Sequence, residues 1–125
     1  FNNRYNLEEE IFIKDNHHLD KLDFREKVVH VIKKNKENKI INVEVDNTNQ
    51  LKKIIDLKIN RILLDNFRPN FLRKALKIIP VSIETEASGN INPANILNYA
   101  KTGVGRISLG YITHSVKNFN FSIEF

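Results

Sequence analysis

The sequence predicts an α/β protein in which parallel strands alternate with helices, as in part of a (β/α) barrel. Short apolar runs typical of strands alternate with helical patterns of about ten residues along the chain. Three carboxylates, Glu44, Asp65 and Glu86, recur 21 residues apart, each at the predicted C-terminal end of a strand. Since α/β barrels carry their active sites at that edge of the sheet, we expect the three side chains to lie together there.

The first part of the chain predicts two strand–helix units. A strand over residues 11–13 precedes a helix that begins at Asp23, with Glu26 three residues on in the manner of a capping box. The second strand covers residues 40–45, and Thr48 is expected to cap the helix after it. The buried face of that second helix is predicted to consist of Leu51, Ile54 and Ile55.

Two further units follow. A third strand is predicted over residues 62–64, with Pro69 as the first residue of the next helix, and a fourth strand over residues 81–85. Asn92 and Pro93 are expected to open the last helix, which Gly103 closes.

The chain is predicted to finish with a fifth strand over residues 106–109. A polar turn over residues 113–115 and a segment containing Phe119, Phe121 and Ile123 come after it. Without a linker or a low-complexity stretch, residues 1–125 are expected to form one unit, the C-terminal part of a barrel domain.

Alternation within the strands predicts a polar inner surface. Ile41, Val43 and Val45 share one face of a strand, while Asn42, Glu44 and Asp46 share the other. Barrel interiors are usually filled by Val, Ile and Leu, so several carboxylates there must meet cations, water or a bound ligand. Two interpretations of these carboxylates remain open: they form a ligand site, or they form an internal network of ion pairs with Lys14 and Arg106.

Two segments after late strands have the composition of phosphate-binding loops. The first is Ser88-Gly89-Asn90, which is predicted to lead into the helix at Pro93. The second consists of residues 108–111 and is expected to precede a helical turn. Each alone is more often an ordinary turn, but paired loops on consecutive late strands are typical of (β/α) barrels that bind phosphate.

Composition excludes some classes of function. The chain has no cysteine, which excludes disulfides, thiolate metal sites and cysteine nucleophiles, and no apolar run approaches the ~20 residues of a membrane span. We expect a soluble, cytoplasmic protein that binds no membrane. The net charge is +5, but the basic residues are scattered, apart from a group where a helix ends, so we expect no nucleic-acid partner. The chain begins at Phe1 and contains no methionine, which favours a fragment.

Six short motifs in order resemble the barrel motifs of quinolinate phosphoribosyltransferases. They are KDNH at 14–17, VEV at 43–45, LLDN at 63–66, EASGN at 86–90, TGV at 102–104, and RISLG at 106–110 with THS at 113–115. The resemblance spans the whole chain. It implies the C-terminal part of a type II phosphoribosyltransferase-like barrel, without the family's N-terminal sandwich domain and first barrel strands.

The resemblance also implies an activity. The family transfers a phosphoribosyl group from phosphoribosyl pyrophosphate to quinolinate and removes CO₂, giving nicotinate mononucleotide and pyrophosphate for NAD synthesis. The expected catalytic residues are Lys14, Glu44 and Asp65. The complete enzyme is expected to be a homodimer, or a hexamer built from dimers, that uses Mg²⁺ with phosphoribosyl pyrophosphate.

Roles for individual residues follow from the same resemblance. Arg4 and Lys14 would bind the two carboxylates of quinolinate, and Glu44 and Asp65 would hold the ribose hydroxyls and help to seat Mg²⁺ indirectly. The residues implied to wrap the 5′-phosphate are Ser88, Gly89, Asn90, Leu109, Gly110 and Tyr111. No general base is expected, and structural roles are favoured for His17 and His114.

Three positions depart from the family pattern. Asn3 stands where the family usually has His, Gly105 replaces a common Asp, and Tyr111 replaces a small residue in a phosphate loop. A degenerate, non-catalytic sugar-phosphate-binding fragment is therefore one alternative. Another is a paralogue linked to molybdenum transport that acts on a different acid, and a basic nucleic-acid-binding domain is the third.

Overall fold

The computed structural model describes residues 10–16, 19, 21–109 and 112–116. Within this part of the chain, strands and helices alternate up to the last strand, which follows the fifth strand directly. The elements are β1 (Glu10–Lys14), α1 (Phe24–Lys34), β2 (Ile40–Val45), α2 (Thr48–Ile54), β3 (Arg61–Asp65), α3 (Pro69–Ile78), β4 (Glu84–Ser88), α4 (Ile96–Ala100), β5 (Arg106–Leu109) and β6 (Ile112–Ser115). The predicted α/β class is confirmed.

The sheet has the strand order of a barrel wall. The order is β1-β2-β3-β4-β5-β6, with parallel pairing from β1 to β5 and an antiparallel pair between β5 and β6. Crossovers between parallel strands are right-handed, so a sheet whose strands follow chain order has all its helices on one face. A doubly wound sheet would reverse its strand order and have helices on both faces.

Apolar side chains fill the space between the sheet and the helices. On the sheet, every second residue of the central strands points to the helices and is fully buried, as in Val43, Ile62 and Ile107. Val28, Leu51 and Leu72 meet this face from α1, α2 and α3 and are also fully buried. The hydrophobic core therefore lies on one side of the sheet, and the opposite side carries the polar residues.

The starts of the first three helices follow local chemistry. Asp23 caps α1 as predicted, and its carboxylate accepts a hydrogen bond from the Arg25 N–H at 3.0 Å. The cap predicted at Thr48 is wrong by one residue. Asn47 caps α2 instead by accepting from the Gln50 N–H at 2.8 Å. Pro69 is the first residue of α3, as predicted.

The fourth strand begins later than predicted. Residues 81–85 contain alternating apolar side chains, but Val81 is fully exposed, and the Ile83 N–H bonds the Pro80 carbonyl in a turn. The strand runs instead from Glu84 to Ser88, where the backbone pairs with β3. Glu86 is consequently the middle residue of β4, and the prediction that it ends a strand is wrong.

The last helix is shorter than predicted. Asn92 opens a turn in which its side-chain oxygen accepts from the Ala94 and Asn95 N–H groups, and α4 begins only at Ile96. Ser88-Gly89-Asn90 therefore leads into a turn, not directly into a helix. Gly103 has a φ of 97°, two residues beyond the C-cap Lys101.

The polar turn predicted over residues 113–115 is part of β6. This strand pairs with β5, with Arg106 opposite Ser115 and Ser108 opposite Thr113, so a strand and not a helical turn follows the second phosphate loop. The residues between β5 and β6 and those after Val116 lie outside the described residues. No helix in the described part of the chain is long and apolar enough to cross a membrane.

Candidate active site

Lys14, Glu44 and Glu86 belong to one row of side chains across the sheet. In the strand register Lys14 pairs with Glu44, Glu44 with Leu63, Leu63 with Glu86, and Glu86 with Arg106. Paired residues of adjacent parallel strands lie about 4.8 Å apart and point to the same face. From β1 to β5, the side chains of this row on the polar face are therefore positive, negative, apolar, negative and positive.

Asp65 and Ser88 form a second pair, one step closer to the carboxyl edge. They are the last residues of β3 and β4 and are partners in the register. This position brings Asp65 close to Glu44 from the row below. Asp65 thus lies at the carboxyl edge as predicted, while Glu44 and Glu86 lie one step below it in a common row.

An open cavity of about 320 Å³ lies at the carboxyl edge of β1, β2 and β3. Lys14, Glu44 and Asp65, the three predicted catalytic residues, all line it. The other residues that line it are Asp15, Asn16, Leu19, Asp46 and Gln50. The cavity therefore contains one cation from β1 and several carboxylates, which suits a polar ligand with both hydroxyl and anionic groups.

The electrostatics of this cavity centre on Glu44. Partial burial raises the pKa of the Glu44 carboxyl, and the nearby negative charge of Asp65 raises it further. The cation of Lys14 opposes this shift but does not cancel it. Within the described part of the chain, these two neighbouring carboxylates have one close cation, Lys14, which favours the approach of further positive charge.

Asp65 is held by hydrogen bonds on both of its oxygens. The Ser88 hydroxyl donates to Asp65 Oδ1 at 3.1 Å, and Asn66 Nδ2 donates to Oδ2 at 3.3 Å. Gly89 lies directly beneath this carboxylate, since a Cβ placed on Gly89 would be 2.8 Å from Asp65 Oδ1 and would also collide with the Asn66 side chain. Glycine is needed at this position because of these two side chains and because its φ is 84°, in the left-handed region.

The ion pairs of the polar face centre on Arg61. Its guanidinium donates to Glu84 at 2.9 Å, to the Asn42 side chain at 2.9 Å and to Glu10 at 3.4 Å. Asn42 is completely buried and donates in turn to Glu10 at 3.0 Å. Arg61 therefore joins β3 to β1, β2 and β4 near the amino ends of the strands.

Among the described residues, the ion pairs of the polar face are those of Arg61, and neither Lys14 nor Arg106 forms one, so the expected network with these two cations is not what the structure shows. Burial raises the pKa of Glu86, and the cations of Arg61 and Arg106 limit the rise. Arg61 was missed in the sequence because it comes immediately before the apolar run Ile62–Leu64, where a basic residue usually marks an exposed strand end. Its place in β3, in the same register row as Asn42 and Glu84, is set by strand pairing.

The structure brings most of the predicted site residues to one edge. Lys14, Glu44 and Asp65 line the cavity, and Ser88, Gly89 and Asn90 are linked to it through Asp65 and Asn66. The half-buried Leu109 ends β5 at the same edge of the sheet. The remaining predicted site residues, Arg4, Gly110 and Tyr111, lie outside the described residues, as does His17, for which a structural role is expected.

Several residues in or next to the cavity were given no role from the sequence, among them Asp15, Asp46, Gln50 and Asn66. Asp15 belongs to the KDNH motif and Asn66 to the LLDN motif, so the family resemblance could have indicated both residues. Asp46 and Gln50 had none, because their contact depends on how α2 packs at the edge. The Asp46 N–H donates to Gln50 Oε1 at 2.8 Å, and Gln50 Nε2 donates to Asp15 at 3.4 Å.

The fold and the site together identify the class of protein. Strands in chain order, helices on one face, charged residues on the other face and a polar cavity at the carboxyl edge characterise a segment of an enzyme-type (β/α) barrel.

Comparison with known proteins gives the family. Residues 1–124 match the family described as quinolinate phosphoribosyl transferase, C-terminal domain, and the chain belongs to that family. It is 38% identical to a probable nicotinate-nucleotide pyrophosphorylase [carboxylating] of Methanocaldococcus jannaschii, over 97% of this chain and 45% of the relative. It is 34% identical to the Bacillus subtilis protein of the same name, over 99% of this chain and 43% of the relative.

A solved structure agrees with these relatives. The nicotinate-nucleotide pyrophosphorylase of Francisella tularensis superposes with a TM-score of 0.71 and 36% identity, over 82% of this chain and 36% of that protein. The chain thus spans less than half the length of the curated relatives described here.

Proposed function

We propose that the protein containing this chain transfers a phosphoribosyl group from phosphoribosyl pyrophosphate to quinolinate, releasing pyrophosphate and CO₂ and forming nicotinate mononucleotide. The observation that carries this proposal is the convergence of Lys14, Glu44 and Asp65 on one cavity at the carboxyl edge. Family membership and the names of the relatives support it. In this proposal the chain supplies the sugar side of the site and part of the acid side.

Lys14 is assigned to the acid. Quinolinate is a dianion, and an ammonium group at the end of β1 can form charge-assisted hydrogen bonds with one of its carboxylates. Arg4 is assigned to the other carboxylate, because a planar guanidinium binds a carboxylate through two parallel hydrogen bonds.

Glu44 and Asp65 are assigned to the sugar. In the reaction the quinolinate ring nitrogen forms a bond to ribose C1 while the bond from C1 to the pyrophosphate oxygen breaks. Positive charge develops on the sugar, and two fixed carboxylates near it lower the barrier electrostatically. The bond to a ring carboxyl then breaks and CO₂ leaves, so that the ring carbon takes a proton.

The donor groups fit a Mg²⁺ ion that arrives with its substrate. Mg²⁺ commonly binds one or two protein carboxylates together with substrate phosphates and water. Glu44 and Asp65 supply two such carboxylates, while no cluster of three or more His, Cys, Asp or Glu residues able to hold a metal occurs in the described segments. Mg²⁺ would neutralise charge on the departing pyrophosphate.

The phosphate loop is assigned to Ser88, Gly89 and Asn90, together with Leu109, Gly110 and Tyr111. The Ser88 hydroxyl donates to Asp65, so we assign the phosphate contacts of this loop chiefly to backbone N–H groups. We further propose that the complete enzyme is a cytoplasmic homodimer, or a hexamer built from dimers, as the family resemblance implies.

The test uses the full-length protein and measures pyrophosphate release from quinolinate and phosphoribosyl pyrophosphate at saturating Mg²⁺. Glu44→Gln and Asp65→Asn should each lower turnover, because the amides preserve shape and remove negative charge. Glu37→Gln is the control, since Glu37 lies in the turn after α1 with its side chain 79% exposed. Near-normal turnover in either site variant would remove the sugar-side role from that carboxylate.

The same assay separates the alternatives. Release of pyrophosphate with another aromatic acid, but not with quinolinate, would identify a paralogue with a different substrate. Binding of ribose 5-phosphate without any pyrophosphate release would identify a degenerate, non-catalytic barrel.

A further inference from the structure

Asn66 occupies a connection between the ends of β3 and β4. Its side-chain oxygen accepts from Asn90 Nδ2 at 3.0 Å, while its Nδ2 donates to Asp65 at 3.3 Å. Its backbone N–H donates to the Ser88 carbonyl at 2.9 Å. One residue thus contacts Asp65, Ser88 and Asn90 through three separate groups.

The backbone around Asn66 is in an unusual conformation. Asn66 has a φ of 60°, Asn90 a φ of 57° and Gly89 a φ of 84°, all in the left-handed region. Asn tolerates this region better than most residues, and Gly occupies it freely. The absence of a Cβ at Gly89 leaves room for the Asn66 amide above the loop.

The hydrogen bonds from Asn66 and Ser88 to Asp65 oppose the electrostatic repulsion between Asp65 and Glu44. Glu44 and Asp65 line the same cavity, and two like charges that lie near each other repel. A carboxylate at the end of a strand can turn away from such a neighbour unless hydrogen bonds hold it. Asn66 and Ser88 each donate to one Asp65 oxygen and so oppose that rotation.

We propose that Asn66 is a positioning residue that holds Asp65 towards the ribose and ties its orientation to the Ser88-Gly89-Asn90 loop. This inference rests on the sugar-side role proposed for Asp65. In this proposal Asn66 contacts neither ribose C1 nor the quinolinate ring nitrogen. It couples the carboxylate to the phosphate loop, so that the two substrate-binding elements keep a fixed separation.

The test is Asn66→Gly in the full-length protein, because glycine keeps the left-handed backbone and removes only the amide. The KM for phosphoribosyl pyrophosphate should rise about tenfold, the size expected when a hydrogen bond to a charged group is lost. The KM for quinolinate should stay within twofold of the wild-type value. The melting temperature should stay within a few degrees of wild type. Asn38→Gly is the matched control, since Asn38 also has a φ of 57° but lies in the turn before β2.

A double variant separates positioning from a structural role. If Asn66 acts through Asp65, adding Asn66→Gly to Asp65→Asn should cause little further rise in the KM for phosphoribosyl pyrophosphate. Equal rises in both KM values, or no rise at all while Asp65→Asn is impaired, would overturn the inference and leave the proposed function standing. Full activity of Asp65→Asn would overturn both.

Discussion

Lys14 shows how much depends on a single exposed side chain at the edge of the sheet. It is the last residue of β1 and lines the cavity with Glu44 and Asp65. Its backbone carbonyl accepts a hydrogen bond from Lys27 Nζ at 2.8 Å, so the strand end is fixed even though the side chain is exposed. Removal of the ammonium group should therefore change ligand binding without disturbing the strand.

Lys14→Ala in the full-length protein should raise the dissociation constant for quinolinate by at least about tenfold and leave that for phosphoribosyl pyrophosphate nearly unchanged. Each charge-assisted hydrogen bond to the dianion contributes roughly 1.5–3 kcal/mol. Isothermal titration with each substrate measures the two values. Lys52→Ala on α2, outside the cavity, serves as the control, and equal losses for both substrates would show that Lys14 does not belong to the acid pocket.

Glu86 allows the effect of a buried carboxylate on stability to be tested. Burial raises its pKa in the folded chain above the ordinary value, so the folded state favours the protonated form. The stability contributed by protonated Glu86 is complete below the unfolded pKa and is lost as the pH rises through the folded pKa. At neutral pH the ionised carboxylate therefore destabilises the fold.

Glu86→Gln should accordingly raise the melting temperature of the full-length protein at pH 7, and the difference should disappear as the pH falls below the ordinary Glu value of 4.5. Thermal denaturation across that pH range measures the effect. Glu37→Gln, at an exposed position, should show no comparable dependence. A gain in stability for Glu86→Gln that grows towards low pH would contradict the direction of the shift.

Among the described loops, Gly89 and Gly103 both have a positive φ, and comparing them distinguishes backbone strain from crowding of the side chain. Gly89 follows β4 with a φ of 84° and has side chains directly over it, whereas Gly103 follows α4 with a φ of 97° and has nothing within 4 Å of a Cβ position. Alanine at either position incurs the cost of a left-handed backbone, roughly 1–2 kcal/mol. Only at Gly89 does it also collide with neighbouring side chains.

Gly89→Ala should thus lower the free energy of unfolding by clearly more than Gly103→Ala, and only Gly89→Ala should impair turnover. Chemical denaturation and the pyrophosphate assay on the full-length protein provide the two measurements. Similar losses of stability in the two variants would mean that Asp65 and Asn66 move aside easily.

The strands provide a second comparison, between a half-buried and an exposed ion pair. Arg61 is 14% exposed and contacts three polar partners, while Arg25 on α1 pairs with Asp56 at 2.7 Å with side-chain exposures of 43% and 62%. Exposed pairs contribute little to stability, whereas removing one member of a buried network leaves the others uncompensated.

Arg61→Met should destabilise the protein by about 2 kcal/mol, less than for a fully buried pair because Glu84 is 59% exposed. Arg25→Met should cost under about 1 kcal/mol. Urea denaturation of the two variants gives the difference. A smaller effect for Arg61→Met than for Arg25→Met would show that the polar face is well solvated.

Element positions were predictable where apolar pattern and strand pairing agree. Strand β2 and strand β5 have the predicted bounds because their apolar runs are also their paired segments. Strand β4 was misplaced because its own sequence, ETEAS, has little strand character, while the preceding turn contains Val81 and Ile83. Only pairing with β3, which a single sequence does not reveal, moves the strand to Glu84–Ser88.

The site was predictable for similar reasons. Lys14 and Asp65 follow apolar runs directly and Glu44 is the last polar residue of an alternating strand, so the edge on which they lie follows from the parallel sheet. Gln50 and Asn66 act through hydrogen bonds between segments distant in sequence, and no periodicity in the sequence identifies such contacts.

At the scale of the whole molecule, the first strand of the described sheet has an exposed edge. Phe12 on β1 is 58% exposed, and β1 has a partner on one side only in the described sheet. An uncovered edge strand with an exposed aromatic side chain favours association between chains. The described sheet is an open wall, not a closed barrel.

The 125-residue chain by itself should consequently self-associate and lack pyrophosphate-releasing activity. Light scattering coupled to size-exclusion chromatography measures the first property, and the pyrophosphate assay measures the second. Weak binding of ribose 5-phosphate should survive, because Ser88-Gly89-Asn90 is local to this segment. A monodisperse monomer with measurable turnover would show that the chain is sufficient for catalysis.

The charges that line the polar face also limit how β3 can assemble. Side chains alternate along a strand, so a slip of β3 by one residue would turn Arg61 and Asp65 towards the helices and Ile62 and Leu64 away from them. Such a slipped strand would bury two charges without partners and expose apolar groups, which costs several kcal/mol. Arg61 and Asp65 thus make mispaired folding intermediates unfavourable. A substitution tolerated by the reaction at either position can still lower the yield of correctly folded protein.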